Sequence, residues 1–286
     1  MLIGLIVNTD KNTAIECSKE IAKFIIDNGS SVCANKTVAE IVGCKNAFDS
    51  DENVIKNCDA VVTVGGDGTI IHNAKFAAKY DKPMIGINMG RVGFVAGLEK
   101  DEINELKNLL DGKYKIQKRM LMNVTHICDG KTNEYLCVNE ASLSRDTLSP
   151  IVDLSVSLNN EKIITYRADG MIFSTPTGST AYSFSAGGPV LEPDISCILL
   201  TPVCPHALSS RQVVFSGSDE LCAEFVSYNN SRCYLNVDGQ NIVELSSNDK
   251  VYVKKSEYVL KLIILKEKNF YTLLNEKLKE RDYYEE

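Results

Sequence analysis

The most chemically suggestive residues in the first half are Val-Gly-Gly-Asp-Gly-Thr, Val64 to Thr69. Gly65, Gly66 and Gly68 keep Cβ atoms away from a backbone that must turn and let a ligand approach. The run follows the apolar stretch Ala60–Val64 and precedes Ile70–Tyr80, which has helical spacing. Such a strand-to-helix turn presents the free amides of the helix's first turn, at the positive end of its dipole, and makes a phosphate site. Asp67 is odd there, because a carboxylate repels phosphate. Three roles fit it: ligand to a metal that bridges phosphates, base for an attacking hydroxyl, or plain cap of the helix. The run lacks the Gly-Lys-Ser/Thr of a P-loop and the Gly-x-Gly-x-x-Gly of a dinucleotide fingerprint. A second glycine-rich turn, Gly86–Phe94, follows another strand and suits tight packing as well as ligand contact.

In the second half, Arg167-Ala-Asp-Gly-Met-Ile-Phe-Ser-Thr-Pro-Thr-Gly-Ser-Thr-Ala-Tyr182 carries a strand, a Pro-Thr-Gly turn and hydroxyls from Ser174 to Ser185. Hydroxyls and loop amides bond sugar and phosphate oxygens without adding charge, and the Tyr182 ring can stack on a base. Arg167 and Asp169, two residues apart, would point the same way on one strand.

The elements that must position these groups change character along the chain. Leu2–Val7, Ala60–Val64 and Met84–Asn88 read as buried strands, and Thr13–Asn28, Ile70–Tyr80 and Lys100–Leu110 as helices. This alternation predicts a Rossmann-like α/β domain over residues 1–117 with a parallel sheet. From Lys118 short strand-like runs follow one another: Leu121–Ile127, Val152–Leu158, Lys162–Tyr166, Met171–Ser174, Ile198–Val203, Gln212–Phe215, Cys233–Val237, Lys250–Lys254 and Val259–Leu265. Asn159-Asn160 is a hairpin turn between two of them. Residues 118–266 are therefore expected to form an antiparallel β-sandwich-like domain, and 267–286 a helix that packs back on the first domain.

Composition narrows the partners. The 286 residues carry 44% hydrophobic and 24% charged side chains, as in an ordinary globular protein, and a net charge of −7. An acidic balance argues against a nucleic-acid or anionic-membrane partner. No stretch approaches the roughly 20 apolar residues of a membrane helix, and the N-terminal apolar run has no basic flank and ends at Asn8-Thr9-Asp10. The ten cysteines include no Cys-x-x-Cys pair and show no ligand spacing with His72, His126 or His206. They read as reduced, mostly buried thiols, so a soluble cytoplasmic protein is expected.

Gly65–Thr69, Asn139-Glu140 and Asp169–Tyr182 resemble the NAD kinase family in order and spacing. The similarity extends to Gly86–Phe94, Leu200–Arg211 and Asn236–Gln240, and so covers about residues 58–242. The Gly-Gly-Asp-Gly-Thr run alone is shared with diacylglycerol and sphingosine kinases. The string from Ser174 to Tyr182 is specific, and a lipid kinase has no reason to carry it. A catalytically silent nucleotide sensor is the other rival, and the intact Asp67 argues against it. The resemblance implies transfer of phosphate from ATP, or polyphosphate, to the 2′-hydroxyl of the adenosine ribose of NAD. It also implies a divalent metal such as Mg²⁺, a homodimer or homotetramer, and a nucleotide bound between the domains. Matched residue by residue, it makes Asp67 the general base and places Gly65, Gly66, Gly68 and Thr69 on phosphate. It assigns Asp67, Gly68, Asn139, Glu140, Arg167, Asp169, Thr180, Ala181, Tyr182, Ser185 and Gln240 to the dinucleotide. His72 falls where some relatives have a basic nucleotide contact, although a solvated or core histidine fits it equally. The metal's ligands are not implied. Arg91, Glu192 and Gln212 depart from the common pattern, and His206 reads as a structural residue of its loop.

Overall fold

The computed structural model describes residues 1–89, 94–207, 210–226, 231–266 and 269–282. They form two compact units: 1–119 together with 259–286, and 120–258. Residues 259–266, expected in the β-rich domain, thus belong with the first unit. The physical reason is the length of the last strand, Lys250–Ile264, whose Leu262 pairs in parallel with Met84. The two runs expected at Lys250–Lys254 and Val259–Leu265 are one continuous strand.

In the first unit the sheet order is the end of Lys250–Ile264, then Met84–Asn88, Ala60–Gly65, Leu2–Val7, Ser31–Asn35 and Asn46–Phe48, all parallel. Leu98–Glu99 adds a short parallel pairing to Met84–Asn88. The strands are near-continuous apolar runs because both faces are covered: Ile3, Leu5, Ala60, Val62, Ile85 and Ile87 are all buried. Helix Asn12–Asp27 turns Ala14, Cys17, Ile21 and Ile25 into that core. The helix expected at Lys100–Leu110 is a 3₁₀ segment, Lys100–Glu105, continued by Leu106–Leu110. Leu2–Val7 has Ala60–Gly65 on one side and Ser31–Asn35 on the other, so the winding reverses between Leu2–Val7 and Ala60–Gly65. Open parallel sheets bind ligands at the carboxyl ends of strands at such a reversal.

The second unit is antiparallel throughout. One sheet holds Glu161–Ala168, Val152–Leu158, Glu220–Val226 and the start of Lys250–Ile264, together with the hairpin Lys115–Cys128/Lys131–Cys137. The other runs Val213–Ser216, Cys197–Val203, Gly170–Ser174, Glu140–Arg145, Cys233–Val237, Gln240–Leu245. Residues of both sheets fill one apolar core around Leu143, Leu154, Phe173, Leu200 and Leu235, the packing of a sandwich. Asn159 and Asn160 have φ of 50° and 69°, the left-handed pair of the predicted hairpin turn.

The described residues include no helix long and apolar enough to cross a membrane. None of the ten cysteines is in a disulfide, and seven are buried. Burial pushes the Cys33 and Cys233 thiols up to about 12, as befits apolar packing groups.

Candidate active site

In the first unit, the carboxyl ends of the two strands at the winding reversal carry Asn8–Lys11 and the Gly65–Thr69 run. Asn8 ties them together. Its amide donates to Val64 O at 2.9 Å, and its Nδ2 donates to Thr69 Oγ1 at 3.3 Å. Gly66 is the N-cap of helix Asp67–Lys79 and offers no side-chain cap. Asp67 is the first helical residue, so the capping role considered for it is not the one it plays. Thr69 and Ile70 donate to Gly66 O at 3.0 and 3.2 Å, which leaves the Asp67 and Gly68 amides ahead of the helical ladder.

The loop glycines do not use positive φ. What matters is the missing side chain, and for different reasons. A Cβ on Gly65 would stand 2.8 Å from Thr69 Oγ1, so packing demands glycine there. Gly68 faces open space, and beside Gly66 the nearest atom is Lys11 Nζ, 3.8 Å from where a Cβ would be. Exposed amides, a helix N-terminus and a lysine cation converge on one spot fit for phosphate. Sequence reading missed Asn8 and Lys11, whose contribution depends on which strands are neighbours. His72 is exposed on the same helix, edge-on to Phe76. It lines a polar cleft with Asn35, Lys36, Asp49, Ser50 and Glu52, apart from the glycine loop. Gly86 packs on Ile70, whose Cδ1 lies 2.4 Å from its virtual Cβ, and Arg91 lies outside the described residues.

In the second unit the structure gathers Asn139, Glu140 and Thr177–Tyr182. The organiser is Asp238, in the left-handed Asp238-Gly239 turn, with φ of 52° and 78°. Its Oδ1 accepts the Asn139 N–H at 2.7 Å, and Val138 N–H donates to Oδ2 at 3.1 Å. The Thr175 amide donates to Asn139 O at 2.9 Å, and Thr175 Oγ1 donates to Val138 O at 2.7 Å. Gly178 is pressed onto the Asn139 backbone, with Asn139 O 2.1 Å from where a Cβ would stand.

Most hydroxyls of the string serve the fold rather than stand ready for a ligand. Ser179 Oγ donates to Pro176 O, Thr180 Oγ1 to Thr177 O, and Ser183 and Thr201 share a bond. Three buried polar atoms are left over: Asn139 Oδ1, Glu140 Oε2 and Thr177 Oγ1 have no partner. Burial, and then the nearby Asp238 charge, push the Glu140 carboxyl up to about 7, although a hydrogen bond from the Tyr182 backbone pulls it down.

Around this cluster Ala181 is half-buried, whereas Tyr182, Ser185, Gln240 and Arg167 are exposed. Arg167 and Asp169 do not share a strand. The chain leaves one sheet at Ala168 and enters the other at Gly170, with Asp169 in the bend. Asp169 is paired instead with Arg145, whose Nε donates at 2.6 Å. Arg145 is the residue that sequence spacing could not find, because strand pairing brings it there. Exposed His206 donates its amide to Arg167 O at 2.9 Å.

The glycine loop that opens a helix at the first sheet's winding reversal suits a phosphate-bearing ligand, and the antiparallel sandwich gathers polar groups of its own. Residues 3–114 match the model of the ATP-NAD kinase N-terminal domain, and residues 138–265 that of the C-terminal domain. An NAD kinase of Natranaerobius thermophilus is 36% identical over 278 residues, 96% of this chain and 97% of its own. One of Caldanaerobacter subterraneus is 34% identical over 281 residues, 98% and 99% of the two chains. The chain belongs to the NAD kinase family. Its fold is also that of yeast NADH kinase, solved with NADH: TM-score 0.84, 23% identity, 95% of this chain and 85% of that one. It is likewise that of an Archaeoglobus fulgidus NAD kinase solved with ATP, at TM-score 0.72 and 24% identity, covering 98% and 99%.

Proposed function

We propose that this protein phosphorylates the 2′-hydroxyl of the adenosine ribose of NAD, with ATP as donor and Asp67 as general base. One observation carries the acceptor side. Asn139 Oδ1, Glu140 Oε2 and Thr177 Oγ1 are buried without partners in one cluster, the arrangement expected where a polyhydroxy ligand supplies the missing bonds. Gly68, Gly66 and Lys11 support the donor side, since they leave room and positive charge for phosphate. The relatives named NAD kinase and the neighbour solved with ATP support the same pairing.

In the reaction the ribose oxygen bonds to the γ-phosphorus as the bond to the β-phosphate oxygen breaks. ADP leaves, and the hydroxyl proton passes to Asp67 and then to solvent. Little of this is covalent chemistry for the protein; position and charge do the rest. Asp67 suits the task as the first residue of its helix, exposed beside the amides that would hold the donor. A divalent cation such as Mg²⁺, when bound with ATP, supplies charge neutralisation. With the Asp67 carboxylate kept for the proton, Thr69 Oγ1 would be the side-chain oxygen the loop offers such a cation.

The test is NADP formation from NAD, ATP and Mg²⁺, read by an NADP-specific dehydrogenase. Asp67→Asn is expected to keep the wild-type melting temperature and lose about 10²–10⁴ in kcat. Undiminished turnover in that variant overturns Asp67 as the base. Turnover with polyphosphate but not ATP overturns the donor.

A further inference from the structure

Three side chains that the kinase reaction does not use meet in the second unit. His126 and Cys128 are alternate residues of strand Lys115–Cys128, so they share a face. Asp249 ends the turn Ser246–Asp249 just before strand Lys250–Ile264. Imidazole, thiol and carboxylate ligand atoms all lie within 4.8 Å of one another. His126 Nε2 is 2.8 Å from Asp249 Oδ2, and those residues are 1% and 4% exposed, while Cys128 is half-buried and gives the group its opening to solvent.

We propose that His126, Cys128 and Asp249 form a binding site for a zinc-class divalent transition metal, one ion per chain, with water in the fourth position.

The donor set decides the class of ion. Thiolate with imidazole selects zinc, cobalt and their neighbours over magnesium and calcium, which take oxygen ligands. Bonds of about 2.0–2.3 Å put tetrahedral ligand atoms roughly 3.3–3.8 Å apart, so closing the existing cluster on an ion needs shifts of an ångström or less. Preorganisation comes from the fold. The Ser246 amide fixes the Asp249 carboxylate at 3.1 Å, and the Asp129-Gly130 turn, with φ of 48° and 74°, fixes the end of the hairpin beside Cys128. On binding, the Cys128 thiol proton leaves to solvent and the sulfur takes the metal in its place. The ion then fastens the hairpin to the turn that starts the last strand.

The cluster shares no residue with the glycine loop proposed to take the donor and its cation, and it stands apart from the proposed acceptor residues. Cys128 pairs with Lys131 at the hairpin turn and Met122 with Cys137 at the other end. Six residues of strand, roughly 20 Å, therefore separate the cluster from the Asn139 end.

Cobalt makes the site visible in the full-length wild-type protein. After chelator treatment, Co²⁺ is expected to give one equivalent of a thiolate-to-cobalt charge-transfer band that Zn²⁺ displaces. Cys128→Ser should lose the band, and His126→Asn should bind at least about 100-fold more weakly, beyond the usual loss of an outer partner. A measurement that needs no variant stands beside these. Zn²⁺ should protect Cys128, but not exposed Cys204, from alkylation followed by peptide mapping. Absence of the band in wild type, its persistence in Cys128→Ser, or equal alkylation of Cys128 with and without Zn²⁺ overturns the proposal.

Discussion

Besides Asp67, two side chains bear most directly on the proposed reaction. The Glu140 carboxyl, pushed by burial from 4.5 up to about 7, binds its proton more tightly in the folded protein than in the unfolded chain. Stability from the neutral form is therefore complete below pH 4.5 and is lost as the pH climbs to 7, by about 3 kcal/mol in all. Urea unfolding at stepped pH should show this fall in wild type and a flatter curve in Glu140→Gln. NAD affinity should run the other way, tightening as pH rises through 7, because a carboxylate accepts ribose hydroxyl bonds and a neutral acid offers one fewer lone pair. Calorimetric titration across that range measures it, and a pH-independent affinity would remove Glu140 from the acceptor side. In the proposed reaction Lys11 serves the donor side, since its Nζ lies nearest to where a Gly66 Cβ would stand. Lys11→Met keeps the aliphatic stem and should raise KM for ATP about tenfold, the worth of a charge-assisted bond, with no change in melting temperature. Neither Lys11 nor Arg145 was legible in the sequence, because each reaches its site through strand neighbours far away in the chain. Asp67 and the Thr177–Tyr182 run stood out in the sequence because their neighbours along the chain define them, whereas Glu140 entered only through the family resemblance.

At the scale of elements, two glycines in comparable motifs do opposite work. Gly178 is held against the Asn139 carbonyl, and a Cβ 2.1 Å from that oxygen forces the turn and the acceptor residues apart. Gly68, one residue into its helix, has only open space around it. Gly178→Ala should lower stability by about 1–3 kcal/mol, as overpacking does, and weaken NAD binding with it. Gly68→Ala should leave stability equal or raise it by up to about 1 kcal/mol, as alanine does in a helix, yet still lower kcat/KM for ATP. Thermal melts read beside steady-state kinetics separate the two. The strands best read from sequence are Leu2–Val7 and Met84–Asn88, which stand out as near-continuous apolar runs, and Val152–Leu158 and Cys233–Val237, which alternate apolar and polar residues with period two. Those missed, such as Glu140–Arg145 and Lys131–Cys137, are polar segments that become strands through their partners. The hydroxyl string misled in a related way: its side chains look ligand-ready, but tight turns consume most of them locally.

For the molecule as a whole, the first unit is discontinuous in sequence, and this has a measurable consequence. Its core is completed by residues that follow the entire second unit: Leu260, Leu262 and Ile263 are at most 4% exposed, and Leu262 pairs with Met84. The sequence showed an apolar run there but not its owner, since chain order places it after eight other β-rich segments. Burying each such side chain contributes about 1.5–3 kcal/mol. Three of them amount to roughly 5–9 kcal/mol, comparable to the 5–15 kcal/mol by which a whole domain is stable. The final helix, Phe270–Asp282, is different, for Phe270 to Glu276 are exposed or only half-buried. A chain ended after Lys266 should therefore fold, with a melting temperature lowered by a few degrees, whereas one ended after Tyr258 should lose the cooperative melt of the first unit. Because Asn8, Lys11 and the Gly65–Thr69 loop all sit on that sheet, NADP formation should disappear with it. Circular dichroism melts of both truncations, read beside turnover, decide the matter. A cooperative, active protein ending at Tyr258 would mean that the first unit closes its sheet without the last strand.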